Sequence, residues 1–582
     1  MTWRDLMSGD VRRGHVGQRV VLAGWAARRR DHGGLIFIDL RDERGVCQLV
    51  ANPERAPEAA QIAHEVRNEF VLRAEGEVVA RAPEAVNPSL ATGEVELQVD
   101  SLEIVSRCPP LPFQLDEQGV DETLRLRYRW LDLRRDYLQR NIRLRAQAVS
   151  IIRREMEADG FVDIETPIMA KPTPEGARDF LVPTRLQKGR FFALPQSPQI
   201  YKQLLVISGF ERYYQIARCF RDEDLRADRL QELTQLDVEM AFPDLEYLFA
   251  LTERTFTHIW AECIGAELEP PFPRLTWDEA QLRYGSDKPD LRFGLEIEDV
   301  TEATRNSGFR VFAEAPAVRL IRVPQAFSRA ELERLEDFAK EWGAKGLAYL
   351  VFDEDGQVRS PIVKFLSEAE LAVFRSEPAS TVLFAADRPE VVARVLGALR
   401  LRLGRELDLV DEGAWRFLWI TDFPLLEWDN EESRWTAVHH PFTRPNDATA
   451  EQLESDPGAV RAVAYDIVGN GIELAGGSFR IHEPDLQARV FDLLNISPDE
   501  QRLKFGFLLD ALAMGAPPHG GIAAGIDRMM MALLPEPYIR ETQAFPKNQA
   551  GVDPMSGAPS EVQSESLEEL GLRLAPPKKG PS

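Results

Sequence analysis

Cysteine and lysine are scarce in this chain. Of 582 residues four are Cys (Cys47, Cys108, Cys219, Cys263), and no two of them form a C-x-x-C pair. Such spacing excludes a zinc ribbon and argues against a disulfide framework, so a reducing, cytoplasmic setting is expected. Lys supplies 11 of the 70 basic residues, and none is followed by Ser or Thr, which excludes a G-x-x-x-x-G-K-[ST] phosphate loop. G-x-G-x-x-G is missing as well, because Gly469-Asn-Gly471 has Leu474 where the third Gly would fall. Nowhere do 18 apolar residues run together, and Met1-Thr-Trp-Arg-Asp leads into no apolar stretch, so neither a membrane span nor a secretory signal is expected. No internal repeat is present.

What is there is an ordinary globular balance, 44% hydrophobic and 28% charged, long enough for several domains. The net charge of −25 speaks against a polyanionic partner only globally, because binding depends on where the cations sit. Eight Arg against two Asp lie between Leu124 and Arg145, and Arg28-Arg29-Arg30 forms a basic triplet. An acidic protein with such patches can bind a nucleic acid there and reject it elsewhere.

Residues 1–107 read as short strands at Val20–Ala27, Leu35–Leu40, Val46–Ala51, Phe70–Val79 and Glu94–Val105, parted by glycines and charged turns. Five strands in so short a stretch fit an OB-fold β-barrel. Cys108-Pro-Pro-Leu-Pro-Phe is stiff, and a hinge is expected over 108–140. An apolar-periodic helix over Asn141–Gly160 leads to a strand at Phe161–Thr166, and strands alternate with helices to residue 290. Residues 291–414, with an acidic helix near Ser328–Trp342, carry few polar clusters and read as an inserted α+β domain. Strands resume at Phe417–Ile420, Ala462–Val468 and Ile472–Phe479 up to residue 550, and the tail 551–582 is expected to be loose. The whole is an α+β multidomain chain.

Two segments carry chemistry. Tyr213-Tyr-Gln-Ile-Ala-Arg-Cys-Phe-Arg221-Asp-Glu223-Asp reads as a strand whose alternation puts Arg221 and Glu223 on one face. Arg221 can fork onto a phosphate or carboxylate and Glu223 can accept from an amino group, or the two form a surface ion pair. His519-Gly-Gly-Ile-Ala-Ala-Gly525-Ile-Asp-Arg528 sets glycines and an Arg at the start of a helix over Arg528–Leu534. It is an anion site or a tight turn with a structural Arg.

Those segments resemble motifs 2 and 3 of the class II aminoacyl-tRNA synthetases, and Gly160-Phe-Val-Asp-Ile-Glu-Thr-Pro167 resembles motif 1. Between them lie Thr173-Pro-Glu-Gly-Ala-Arg-Asp-Phe, Gln196-Ser-Pro-Gln-Ile-Tyr-Lys-Gln, His439-His-Pro-Phe-Thr and Gly476-Gly-Ser-Phe-Arg-Ile-His. In this order they resemble the bacterial aspartyl-tRNA synthetases, from about residue 13 to Pro554.

The resemblance implies a six-stranded antiparallel catalytic sheet flanked by helices, an anticodon-binding OB barrel, and a homodimer with motif 1 in its interface. It implies aspartate, ATP, Mg²⁺ and tRNA(Asp), two reaction steps through aspartyl-adenylate, and no membrane partner. Matched residue by residue, Arg221 grips the α-phosphate and the substrate carboxylate, Glu223 contacts ATP, and Glu473 contacts ATP and Mg²⁺. Gly525, Ile526, Asp527 and Arg528 form the motif-3 ATP contact, with Arg528 on the γ-phosphate. Glu175, Gln199, Lys202, Asp237, His439 and Arg480 surround aspartate, and the Lys202–Arg480 pair neutralises its side chain, which leaves asparagine poorly matched. Adjacent residues on a strand face opposite ways, so His439 and His440 make a poor chelate and no zinc is expected. One departure is Leu230, where the family has a Gln that contacts ATP: either Gln231 replaces it or the contact is lost. Ala475 stands where a Gly is usual.

In the barrel, Phe37 and Gln48 match positions that read the anticodon, with Arg30 on the backbone. Periodicity alone would place Phe37 in the core; an exposed ring would stack on an unpaired base. His32 either caps a polar turn or tolerates both the GUC and GUU anticodons, because a neutral imidazole offers one donor and one acceptor. Charging of tRNA(Asn) as well as tRNA(Asp) is therefore left open. A ligase that makes the same adenylate without tRNA is the alternative from another class, and the barrel counts against it.

Overall fold

The computed structural model describes residues 3–172, 177–223, 225, 229–447, 449–534 and 536–575. Contacts divide it into two units, Met1–Val120 and Asp121–Ser582.

In the first unit β1 (Arg19–His32), β2 (Leu35–Asp42), β3 (Gly45–Ala51), β4 (Val71–Ala80) and β5 (Val95–Ser106) close a barrel in the order β1-β2-β3-β5-β4. Alternation decides what fills it. Ile36, Ile38 and Leu40 point inward with Leu22, Leu49, Leu72 and Leu97, so Phe37 and Asp39 between them face out. The β1–β2 turn is Gly33-Gly34, at φ +65° and +94°, a region that other residues enter at a cost.

The expected hinge over 108–140 is shorter than the proline content suggested. Helices Glu122–Arg127 and Arg129–Asp132 already belong to the second unit, and α1 runs Asp136–Ala158. Arg125 and Arg129 both bond the fully buried Asp132, which turns this Arg-rich segment into a packed element. The strand expected over Phe161–Thr166 shrinks to β6 (Val162–Asp163), which pairs with Tyr213 and Tyr214, and Ile164 adds one more backbone bond, to the Tyr214 carbonyl at 3.1 Å.

The catalytic-type sheet contains β6, β7 (Arg212–Phe220), β8 (Glu232–Ala241), β9 (Arg274–Thr276), β10 (Phe417–Thr421), β11 (Ala464–Gly469), β12 (Ile472–Phe479) and β13 (His519–Gly525). Their order is β9-β10-β11-β12-β13-β8-β7-β6. The six strands from β10 to β7 pair antiparallel, as the resemblance implied, and the short edge strands β9 and β6 add parallel pairs. One face packs on α1 and α2 (Leu245–Ile264). There Phe249 stacks on Trp419 at 4.1 Å, and Leu236, Val238, Met240, Tyr465 and Ile467 complete the core. The alternate residues of the same strands are therefore left for the opposite face.

Residues 291–414 contain their own five-stranded sheet, Ile297–Asp299, Ala317–Val323, Ser380–Asp387, Ala348–Phe352 and Val358–Arg359 in spatial order. The acidic helix spans Arg329–Glu341, started by a reciprocal cap between Ser328 and Glu331. The tail is not uniformly loose, since Ser564–Leu570 is helical.

Candidate active site

The face of the sheet opposite the aromatic core collects charge. Along β8, Leu236, Val238 and Met240 enter the core, so Gln235, Asp237 and Glu239 project the other way. Lys202, on the helix Gln199–Ile207, reaches them with Nζ 3.0 Å from Asp237 Oδ1 and 3.4 Å from Glu239 Oε2. Arg480, just past β12, donates from Nε and Nη2 to the two oxygens of Glu239 at 3.0 and 3.1 Å. All four side chains are almost wholly buried. Their charges sum to zero, as burial demands. Desolvation works to raise the carboxyl of Glu239, but Arg480 and Lys202 hold it below its ordinary value. For Asp237 burial prevails over Lys202 and raises it, and its Oδ2 is a buried acceptor with no partner among the described residues.

Around this cluster Arg480 Nη1 donates to Ser478 Oγ and to His440 Nε2, both at 2.5 Å. Gln203 donates to His519 Nε2 at 3.0 Å, and Gln199 to Gln203 at 3.2 Å. Neither Glu239 nor Gln203 drew a role from the sequence, and His440, weighed only as a zinc ligand, and His519, named only at the head of the glycine segment, were not placed in this cluster. The period-2 alternation of β8 would have found Glu239, two residues beyond Asp237. The others have no comparable signal.

Beside it lies a cleft of about 790 Å³ lined by Arg221, Glu223, Lys288, His439, Glu473 and Arg528, among others. Arg221 and Glu223 are not on a strand face as alternation suggested. β7 ends at Phe220, and Arg221 holds the turn by donating its backbone N–H to Gln231 at 2.9 Å. Glu223 Oε2 accepts from Arg229 at 3.2 Å. Arg528 Nη1 lies 3.7 Å from Glu473 Oε2, and Lys288 Nζ lies 3.4 Å from the same oxygen. The helix carrying Arg528 starts earlier than expected, at Ile526, and runs to Leu533. Ile526 is in the core, and Asp527 accepts from Arg145 at 2.6 Å, Gln543 at 2.8 Å and the Thr234 backbone at 2.7 Å. Those two motif-3 side chains anchor the helix start.

Asp466, on β11, is buried on this face, and burial with the neighbouring Glu473 charge raises its carboxyl well above the ordinary range. A side chain at Gly476 would meet Asp466 Oδ1 at 2.4 Å and stand 3.9 Å from Glu473 Oε1, so both carboxylates border one spot. Two crowded carboxylates make an oxygen pair that suits Mg²⁺ carried by a polyphosphate. Among the described residues no group of three or more His, Cys, Asp or Glu is placed to hold a metal alone.

His439 and His440 follow a hairpin strand that ends at Ala437, so the strand argument about their faces does not apply. His439 packs edge-on against Phe423 at 4.8 Å, and burial pulls its imidazole down to about 4. Leu230 lines the cleft, whereas Gln231 lies against Gly551 and, with Leu230, borders a neighbouring cavity. Ala475 is buried in the cleft wall. Glu175 lies outside the described residues.

In the barrel Phe37 is half-buried on the outer surface, where His32 packs edge-on against it at 5.6 Å. Arg30 donates to Asp39 at 2.8 Å and Gln48 at 3.2 Å, and Gln48 donates to Glu96 at 2.9 Å.

Residues 121–549 match the family described as tRNA synthetases class II (D, K and N), and residues 20–105 match the OB-fold nucleic acid binding domain. The aspartate–tRNA(Asp/Asn) ligase of Geobacillus sp. (strain WCH70) is 49% identical, covering 100% of this chain and 99% of that protein. The chain belongs to the class II tRNA synthetases, among the aspartate–tRNA ligases. A second family member, the aspartate–tRNA ligase of Geobacillus kaustophilus, is 50% identical over 99% of both chains. Asparaginyl-tRNA synthetase from Pyrococcus horikoshii, solved with asparaginyl-adenylate, shares the synthetase fold at a TM-score of 0.59 and 18% identity, over 93% of this chain and 97% of that one. No described helix is long and apolar enough to cross a membrane.

Proposed function

We propose that this synthetase activates L-aspartate with ATP and transfers it to the 3′ end of tRNA(Asp). The observation that carries the reading is the buried Lys202–Asp237–Glu239–Arg480 cluster beside the Arg221–Arg528 cleft. An incoming α-amino group can donate to Asp237 Oδ2, which has no partner among the described residues. That leaves Lys202, Arg480 and Glu239 with a net charge of +1, the complement of a side-chain carboxylate and a poor match to a neutral amide.

In the first step an oxygen of the aspartate α-carboxylate bonds to the α-phosphorus, and the bond to the β-phosphate breaks to release pyrophosphate. Arg221 holds the α-phosphate and Arg528 the γ-phosphate, fixed charges set against the charge that develops. Glu223 accepts from the adenine end. Asp466 and Glu473 would hold Mg²⁺, which supplies charge neutralisation of the phosphate oxygens when bound. In the second step the terminal tRNA hydroxyl takes the aspartyl group and AMP leaves. No protein nucleophile is needed.

The exposed Val162, Ile168, Met169, Phe210 and Phe242 support a homodimer built around motif 1. Phe37 offers a ring and Arg30 a cation to the anticodon, whereas Gln48 is buried with its amide bonded to Arg30 and Glu96 and would reach a base edge only by exchanging those bonds. Relatives are named both for tRNA(Asp) alone and for tRNA(Asp/Asn). The exposed His32 beside Phe37 favours the wider reading as a second possibility. Aspartate-dependent pyrophosphate exchange, followed by charging of transcripts with GUC and GUU anticodons, tests the assignment. Turnover of aspartyl-adenylate on a small amine without any tRNA charging would overturn it.

A further inference from the structure

Lys288 is a cation of the cleft to which neither motif matching nor periodicity drew attention. It sits on the loop after the helix Trp277–Tyr284, and its Nζ lies 2.9 Å from Asp287 Oδ2 and 3.4 Å from Glu473 Oε2. Arg528 approaches that same Glu473 oxygen to 3.7 Å. Two cations from separate elements thus bracket one carboxylate, and both line the cleft with Arg221 and Asp466.

The loop is held firmly. Gly285 caps the helix at φ +66°, and a Cβ there would meet the Ala393 carbonyl at 2.1 Å. Arg400, from the helix Pro389–Glu406 of the inserted region, is buried and donates to the Asp290 and Phe293 carbonyls, both at 2.9 Å. Its guanidinium also covers the rings of Phe293 at 4.1 Å and Tyr284 at 4.9 Å. A cation on a loop nailed down from both ends, with its side chain still 36% exposed, is placed to meet a ligand rather than to hold the fold.

We infer that Lys288 is a substrate-contacting residue that grips the polyphosphate of ATP and the departing pyrophosphate, delivered there by the inserted region. The inference rests on the ATP-dependent reading above. As the bond from the α-phosphorus to the bridging oxygen breaks, the electron pair leaves on pyrophosphate, and the ammonium pairs with that charge without transferring a proton. A Lys point charge suits a polyphosphate, which needs no planar fork.

The test is Lys288→Met and Lys288→Gln in the full chain, with Lys288→Arg as the conservative rescue. Calorimetric binding of ATP, and separately of pyrophosphate, with magnesium in excess should weaken about 10- to 100-fold in both neutral variants. In exchange assays KM for ATP should rise in parallel, KM for aspartate should stay within about threefold, and Lys288→Arg should recover most of the loss. Unchanged ATP and pyrophosphate affinity, or an equal loss for aspartate and ATP in both neutral variants, overturns the inference. Wild-type protein that binds ATP but shows no aspartate-dependent exchange would instead defeat the functional reading and leave the binding test of Lys288 intact.

Discussion

Arg480 and Glu239 face each other through two parallel hydrogen bonds, Nε to Oε1 at 3.0 Å and Nη2 to Oε2 at 3.1 Å, both side chains buried. The fork fixes the plane of the guanidinium before any ligand arrives, and Lys202 shares the same Glu239 at 3.4 Å. Recognition of a carboxylate then needs little reorganisation of the site.

Replacing Arg480 by Gln should raise KM for aspartate by about 100-fold or more while KM for ATP moves less than about threefold, because charge-assisted bonds to the amino acid's side chain are lost. Exchange kinetics at varied aspartate and varied ATP check this. An equal change for both substrates would place Arg480 outside the aspartate site.

Arg221→Ala should depress kcat for pyrophosphate exchange by about 100- to 1,000-fold, the range for removing one fixed partner of developing charge. Its backbone N–H still bonds Gln231, so the turn should persist, and circular dichroism should match wild type. Normal exchange by the folded variant would remove Arg221 from the mechanism.

His439 is half-buried with its Nε2 shut off from solvent, and desolvation pulls its imidazole down to about 4, below the ordinary value of 6.5. The unfolded chain therefore binds the extra proton first. The stabilising contribution is whole above pH 6.5 and is lost as pH falls through 4, with a ceiling of about 3 kcal/mol. His439→Asn should flatten the fall in thermal midpoint of this unit between pH 7 and 4.5. A fall as steep as in wild type would show that His439 does not report this burial.

His32 touches Phe37 edge-on at 5.6 Å, beside the ring proposed to stack on the anticodon. Cytosine offers an amino donor and uracil a carbonyl acceptor, and the imidazole can serve either where a Leu cannot. Any charging of a GUU transcript relative to GUC should therefore fall, by about tenfold, in His32→Leu, the worth of one hydrogen bond to a base edge. A ratio unmoved by the substitution would leave His32 as a turn residue only.

Sequence alone determined the barrel strands, whose period-2 alternation survives in Ile36, Ile38 and Leu40, and the antiparallel sheet implied by its motifs. It also named Lys202, Asp237 and Arg480, which the fold gathers although Lys202 and Arg480 are far apart in the chain. Alternation likewise held Glu239, one step from Asp237, and Asp466 within an expected strand, but without a core face to fix the phase they could not be separated from surface acids. Only tertiary structure decided the rest. Phe37 turned outward because its neighbours fill the barrel, and Arg221 left its strand because the ladder ends at Phe220. Lys288 acquired a place in the cleft because Arg400, more than a hundred residues away, pins its loop. Loops carry no periodic signal, so where their side chains meet is set by distant packing that sequence spacing does not encode.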